Sequence, residues 1–173
     1  VVVAGTHGKT TTTSMIAWAL VECDKDPSFL VGGIAENFSS SFRLGQGNEF
    51  VVEGDEYDSA YFDKTAKCLK YLPQVALVGN VEFDHADIYQ TVDQVRLVFE
   101  RFLLTVPRNG VVLLGADDAG ARALAAVPLC RVETFGLGEQ SDWRATQLEH
   151  RDNATCFSVQ HGGHTVAEVE LPL

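Results

Sequence analysis

The chain opens with a short apolar run, Val1-Val2-Val3-Ala4, which breaks into the glycine-rich turn Gly5-Thr6-His7-Gly8. Short apolar runs bounded by turn residues read as strands buried on both faces. Beyond the turn, Ile16, Leu20 and Cys23 recur at helical spacing, so a helix is expected. Residues 31–47 are rich in Gly, Ser and Asn and read mostly as loop. Phe50-Val51-Val52 is a second buried strand, ending in the acids Glu53-Gly54-Asp55-Glu56. Val75 to Val78 is a third, ending in Gly79-Asn80 and another acidic patch, Glu82-Phe83-Asp84-His85. Val92, Val95, Phe99, Phe102, Leu103 and Val106 fall on one face of a helix that Pro107 and Asn109-Gly110 close. Val111 to Leu114 and Arg131 to Phe135 are further strands, and Asp117 between them can cap a short Ala-rich helix. From Trp143 the pattern changes to alternation, with turns at Asp152-Asn153 and Gly162-Gly163, the signature of antiparallel hairpins.

Strands alternating with helices imply an α/β domain: a mostly parallel sheet flanked by helices, here with an antiparallel β-rich C-terminal tail. Length agrees, since 173 residues fit one domain spanning 1–173. The chain starts directly in a strand, without Met, and stops directly after one, so we expect the interior of a longer protein. Charge narrows the partners. Lys and Arg number 13 against 24 Asp and Glu, a net charge of −11, which repels nucleic-acid backbones and anionic membrane surfaces. No apolar run reaches the roughly 18 residues of a membrane span. The four cysteines, Cys23, Cys68, Cys130 and Cys156, lie far apart, as expected of reduced thiols in a cytoplasmic protein. His161-Gly162-Gly163-His164 reads as a hairpin turn, and Trp18 and Trp143 as packing residues.

Candidate chemistry concentrates at the first turn. In Gly5-Thr6-His7-Gly8-Lys9-Thr10 the glycines let backbone N–H groups approach phosphate oxygens, and the following helix adds its positive end. Lys9 is placed to reach β- and γ-phosphates, and the Thr10 hydroxyl to ligate Mg²⁺. The spacing departs from G-x-x-x-x-G-K-[ST], because Val3 stands five residues before Gly8. In an open parallel sheet ligands bind at the carboxyl ends of strands, which puts both acidic patches on the same edge as this loop. Mg²⁺ prefers carboxylate oxygens, so Glu53 and the Glu82 to His85 patch are candidate metal holders. Asn80 and Asp84 are read as groups that orient the His85 region. Asp63, Lys64 and Lys67 read as surface charges.

Three segments, Gly5-Thr6-His7-Gly8-Lys9-Thr10-Thr11-Thr12-Thr13, Glu53-Gly54-Asp55-Glu56-Tyr57-Asp58 and Asn80-Val81-Glu82-Phe83-Asp84-His85-Ala86-Asp87, resemble in order the motifs of the central ATP-binding domain of the Mur ligases. The resemblance spans essentially the whole chain. It implies ATP and Mg²⁺ as cofactors, with residues Gly5 to Thr11 around the nucleotide. It further implies Lys9 on the phosphates, Thr10 and Glu53 on one Mg²⁺ and His85 on a second, with Lys9, Glu53 and His85 as the catalytic set. Some members carry a carbamylated Lys in the helix after the last motif; here residues 90–104 hold no Lys, and Phe99 occupies the matching region.

Within the family, Phe29 to Gly33, Asn37-Phe38, Arg43-Leu44-Gly45 and above all Asp55 to Lys64 are most similar to the branch that joins L-Ala-γ-D-Glu-meso-diaminopimelate to UDP-N-acetylmuramate in peptidoglycan recycling. The sister branch, which adds L-alanine, typically has Ser where Tyr57 stands. The implied chemistry is ATP-driven amide formation through an acyl phosphate, with the UDP-sugar and amine sites supplied by other domains. A reading of another class, a nucleotide-dependent switch that joins nothing, shares the phosphate loop and stays open.

Overall fold

The computed structural model describes residues 1–83 and 91–172. The opening apolar run forms β1 (Val2–Ala4), buried throughout, and the glycine turn leads into α1 (Lys9–Glu22). Residues 31–47, expected mostly as loop, instead hold most of β2 (Ser28–Ala35) and all of β3 (Ser40–Arg43), paired antiparallel. Alternate burial of Phe29, Val31 and Ala35 supplies the driving force that the glycine content concealed. Gly32 fits because a carboxylate comes close to it. A Cβ there would stand 3.2 Å from Glu53 Oε2.

β4 (Phe50–Glu53) lies between β1 and β2. The next segment is a separate two-stranded hairpin of β5 (Asp58–Ala60) and β6 (Asp63–Ala66). β7 (Val75–Val78) follows, then α2 (Val92–Leu103), β8 (Val111–Gly115), a one-turn α3 (Ala119–Arg122), β9 (Arg131–Gly136), β10 (Trp143–Arg151), β11 (Ala154–His161) and β12 (His164–Pro172). Asp118 caps α3 by accepting from Ala121 N–H, not Asp117 as the sequence suggested. Asp117 accepts from the N–H groups of Leu137 and Gly138 instead.

The strands order as β12-β11-β10-β9-β8-β7-β1-β4-β2-β3. From β2 through β10 every neighbouring pair is parallel, and β3, β11 and β12 add antiparallel edges. The hairpin turns fall at Asp152-Asn153 and Gly162-Gly163, as the alternation predicts. The period-two alternation of strands divides the core between two faces. Val2, Ala4, Val52, Ala76, Val78, Val112 and Leu114 pack on the α2 face against Val95, Phe99, Phe102 and Leu103. Phe29, Val31 and Val51 pack on the α1 face against Ala17, with Ile16 and Leu20 beside them. Cys23, expected on that face, is exposed at the end of α1.

Burial of this kind contributes about 25 cal/mol per Å² of apolar surface removed from water and holds β1 at the centre of the sheet. The consequence for function is positional. β1 has β4 on one side and β7 on the other, so the chain leaves β1 in both directions across the sheet. Such a reversal opens a crevice at the carboxyl ends of these strands. Among the described residues no helix is long and apolar enough to cross a membrane.

Candidate active site

The loop after β1 is shaped by two glycines and held by one asparagine. Gly5 has φ +132° and Gly8 φ +78°, conformations that side-chain-bearing residues rarely adopt. Asn80, just past β7, grips the loop three times. Its carbonyl accepts from Thr6 N–H at 3.0 Å. Its Oδ1 accepts from His7 N–H at 2.7 Å, and its Nδ2 donates to the His7 carbonyl at 3.3 Å. The His85 region, which the sequence assigns Asn80 to orient, lies outside the described residues; among those described, the Asn80 side chain braces the glycine turn. Thr6 adds a cross-link, its hydroxyl accepting from Glu82 N–H at 2.8 Å.

α1 starts at Lys9 with Gly8 as its cap, with no side-chain cap hydrogen bond and no acid in its first turn. Its first backbone N–H groups and positive dipole end are therefore open to an anion, with no acidic side chain of the helix's own to compete.

Lys9 does not point into solvent. Its Nζ donates to the carbonyls of Gly5 (2.8 Å) and Thr6 (3.1 Å) and meets Glu56 at 3.1 and 3.2 Å. Both partners are enclosed: Lys9 is 10% exposed and Glu56 2%. The neighbouring Thr10 hydroxyl donates to Glu53 Oε1 at 2.8 Å, while Glu53 Oε2 accepts from Gly32 N–H at 2.7 Å. One carboxylate at the end of β4 thus joins the first turn of α1 to β2. Thr11 is exposed, and His7, also exposed, approaches Glu82 at 3.8 Å. Among the described residues no three of His, Cys, Asp and Glu gather as a metal cluster. His85 and Asp84 lie outside the described residues.

The sequence alone points to no role for Glu56. Gly54 brings it in: a Cβ there would stand 2.7 Å from Val2 Cγ1, and its N–H donates to the Val3 carbonyl at 2.7 Å. The chain therefore turns tightly around the end of β1 and delivers Glu56 to Lys9. Cys68 packs in the same place. Burial, together with the Glu56 charge, pushes its thiol up to about 12. The β5–β6 hairpin grows from this turn, tied by Lys67 N–H to the Tyr57 carbonyl and Cys68 N–H to the Asp55 carbonyl. Asp63, Lys64 and Lys67 are surface charges as expected, paired with Lys70, Asp58 and Asp55. Tyr61 and Phe62 stand 94% and 90% exposed between the two strands. In the tail, Trp143 stacks on His161, and its indole N–H donates to Glu133 at 2.7 Å.

A tight glycine turn between a buried parallel strand and an unblocked helix end, with a lysine and a hydroxyl–carboxylate pair beside it, is an arrangement suited to phosphate in an α/β domain. The model of the Mur ligase middle domain matches residues 3–173, and the chain belongs to that family. It is 41% identical over 168 residues to the UDP-N-acetylmuramate–L-alanyl-γ-D-glutamyl-meso-2,6-diaminoheptandioate ligase of Haemophilus influenzae, covering 97% of this chain and 36% of that protein. It is 36% identical over 173 residues to the UDP-N-acetylmuramate–L-alanine ligase of Geotalea uraniireducens, covering 100% of this chain and 36% of that protein. A solved structure of the corresponding meso-diaminopimelate-tripeptide ligase from a Neisseria species superposes with a TM-score of 0.86 at 37% identity. That match covers 98% of this chain and 54% of the other. The chain thus spans little more than a third of the length of these curated relatives.

Proposed function

We propose that this chain is the ATP-binding middle domain, residues 1–173, of a cytoplasmic ligase that joins L-Ala-γ-D-Glu-meso-diaminopimelate to UDP-N-acetylmuramate. Lys9 at the glycine loop, with Thr10 and Glu53 alongside, is the observation that carries the reading. The 41% relative, whose name states this reaction, supports the tripeptide as the amine. The 36% match to an L-alanine ligase favours a second reading, with L-alanine as the amine. The nucleotide-sugar and amine sites belong to other parts of the protein in both readings.

The donor set fits Mg²⁺. A threonine hydroxyl and a carboxylate 2.8 Å apart are hard oxygens, and phosphate oxygens and water complete such a shell without further protein ligands. Thr10 and Glu53 would hold the ion, with His85 assigned to a second. Bound there, Mg²⁺ supplies neutralisation of the charge on the transferred phosphoryl group. The chain's own groups do the rest. Loop N–H groups, the α1 end and Lys9 gather the triphosphate and offset repulsion as the sugar's carboxylate approaches the γ-phosphate. Transfer of the γ-phosphoryl group turns that carboxylate into an acyl phosphate with release of ADP, and the amine then attacks the acyl carbon, losing a proton as phosphate leaves and the amide forms.

The test is phosphate release by the full-length protein from Mg·ATP and UDP-N-acetylmuramate, with the tripeptide or with L-alanine. Release dependent on the tripeptide is expected. Release with L-alanine alone moves the protein to the sister branch. Release with neither removes the ligase reading and leaves the nucleotide switch.

A further inference from the structure

A lysine ammonium carries three N–H donors and accepts nothing. Lys9 has committed all three: one to the Gly5 carbonyl, one to the Thr6 carbonyl and one to the Glu56 carboxylate. A phosphate oxygen can be taken by Nζ only if one of these is given up. The two carbonyls belong to the loop itself and move with it. Glu56 is different, since it reaches Lys9 from 47 residues away and is itself an anion. A triphosphate and a carboxylate sharing one ammonium repel each other.

We infer that Glu56 is the resting-state counter-ion of Lys9, exchanged for phosphate when nucleotide binds. This rests on the phosphate-site reading above and adds a positioning residue to it. With nucleotide absent, Glu56 compensates a lysine that is only 10% exposed and keeps its Nζ beside the loop carbonyls. When nucleotide enters, Glu56 is the group displaced. When product leaves, it is the group that recovers the lysine. Glu56 therefore competes with phosphate for one charge. Its neutralisation should strengthen nucleotide binding while weakening the nucleotide-free fold.

A structural glutamate behaves differently, because its loss lowers stability with and without nucleotide and leaves affinity unchanged or poorer. The experiment titrates MgADP into full-length wild type, Glu56→Gln and Glu56→Asp by calorimetry, with melting temperatures taken with and without MgADP. Glu56→Gln should bind MgADP about tenfold more tightly, equivalent to about 1.4 kcal/mol. Its melting temperature should fall in the nucleotide-free state and largely recover on saturation. Glu56→Asp, one methylene shorter, should tighten binding by a smaller factor and carries the test if the glutamine variant does not fold. If wild type binds MgADP and the variants bind equally or more weakly, the exchange is overturned while the phosphate site stands. If wild type does not bind MgADP, the phosphate-site reading falls, and the exchange falls with it.

Discussion

Asn80 offers a clean separation of loop geometry from loop chemistry, because its side chain holds the glycine loop through the backbone of His7. Replacing it with alanine deletes the 2.7 Å bond from His7 N–H and the 3.3 Å bond to the His7 carbonyl. The bond from Thr6 N–H to the residue-80 carbonyl is backbone and survives. A net hydrogen bond is worth about 0.5–1.5 kcal/mol, and the longer of the two lies beyond the usual range, so it deserves the lower figure. His7 is exposed, so water can satisfy both freed groups and no desolvation penalty is added. The sum is about 1–2 kcal/mol of lost ordering in the segment between Thr6 and Gly8. Because nucleotide binding must then restore that order, MgADP affinity should fall about 5- to 30-fold. Global stability should change by less, because the loop can loosen without opening the core. Calorimetric titration of the full-length Asn80→Ala protein, with a denaturant melt of the same sample, measures both. Unchanged affinity would show that the glycine turn holds its shape without the asparagine. An equal loss of affinity and fold stability would show that Asn80 serves the sheet and not the loop.

The two loop glycines should differ under substitution. Gly5→Ala forces φ +132° on a residue whose Cβ meets backbone atoms of Gly79 and Asn80 at 3.1–3.2 Å, a strain of about 1–3 kcal/mol, whereas Gly8→Ala has open space around it and bears only the φ penalty. MgADP titration should therefore rank Gly5→Ala as the more damaging of the two. Phe99→Ala, at a fully buried position in the α2 face of the core, should lower stability by about 3–5 kcal/mol in a denaturant melt. Burial holds the Cys68 thiol protonated in the fold up to about pH 12 against its ordinary 9.0, so the unfolded chain releases its proton first. Stability should be insensitive to this group below pH 9 and decline as pH rises from 9 toward 12, and Cys68→Ala should flatten that limb of a pH-dependent melt. In the folded protein a thiol reagent should modify exposed Cys23 and spare Cys68.

The parallel core was legible because its strands are continuous apolar runs, and such runs occur where both sheet faces are covered. Val2–Ala4, Val75–Val78 and Val111–Gly115 stand close to where the pattern put them. The α2 face was legible for the same reason, since Val95, Phe99, Phe102 and Leu103 share one helical stripe. α1 was harder. Its sequence lacks a strong apolar stripe, and its fully buried residues are Thr13 and Ala17, which hydropathy does not single out. β2 and β3 were hidden because Gly32 and Gly33 signal a loop unless one knows that a carboxylate lies against the first of them. That proximity is a tertiary fact, set by β4 lying beside β2.

The same limit explains what was legible in the site. Local spacing was enough to find Lys9 and Thr10, because a lysine and a hydroxyl directly after a glycine turn are placed by the turn alone. It singled out Glu53 at the strand end but gave Asp55 and Glu56 no role, because these acids differ little as letters. Register sorts them. Val3 pairs with Glu53, putting that carboxylate level with the end of β1, where it reaches Thr10. Gly54 then folds the chain against Val2 and Val3, and the turn delivers Glu56 to Lys9, while Asp55 faces Lys67 at the surface. Two carboxylates three residues apart thus meet consecutive residues of α1, one through a hydroxyl and the other through an ammonium. The first is suited to a metal-bearing state, because a hydroxyl keeps lone pairs to share. The second is suited to the state without nucleotide, because the ammonium it occupies is the charge that phosphate needs.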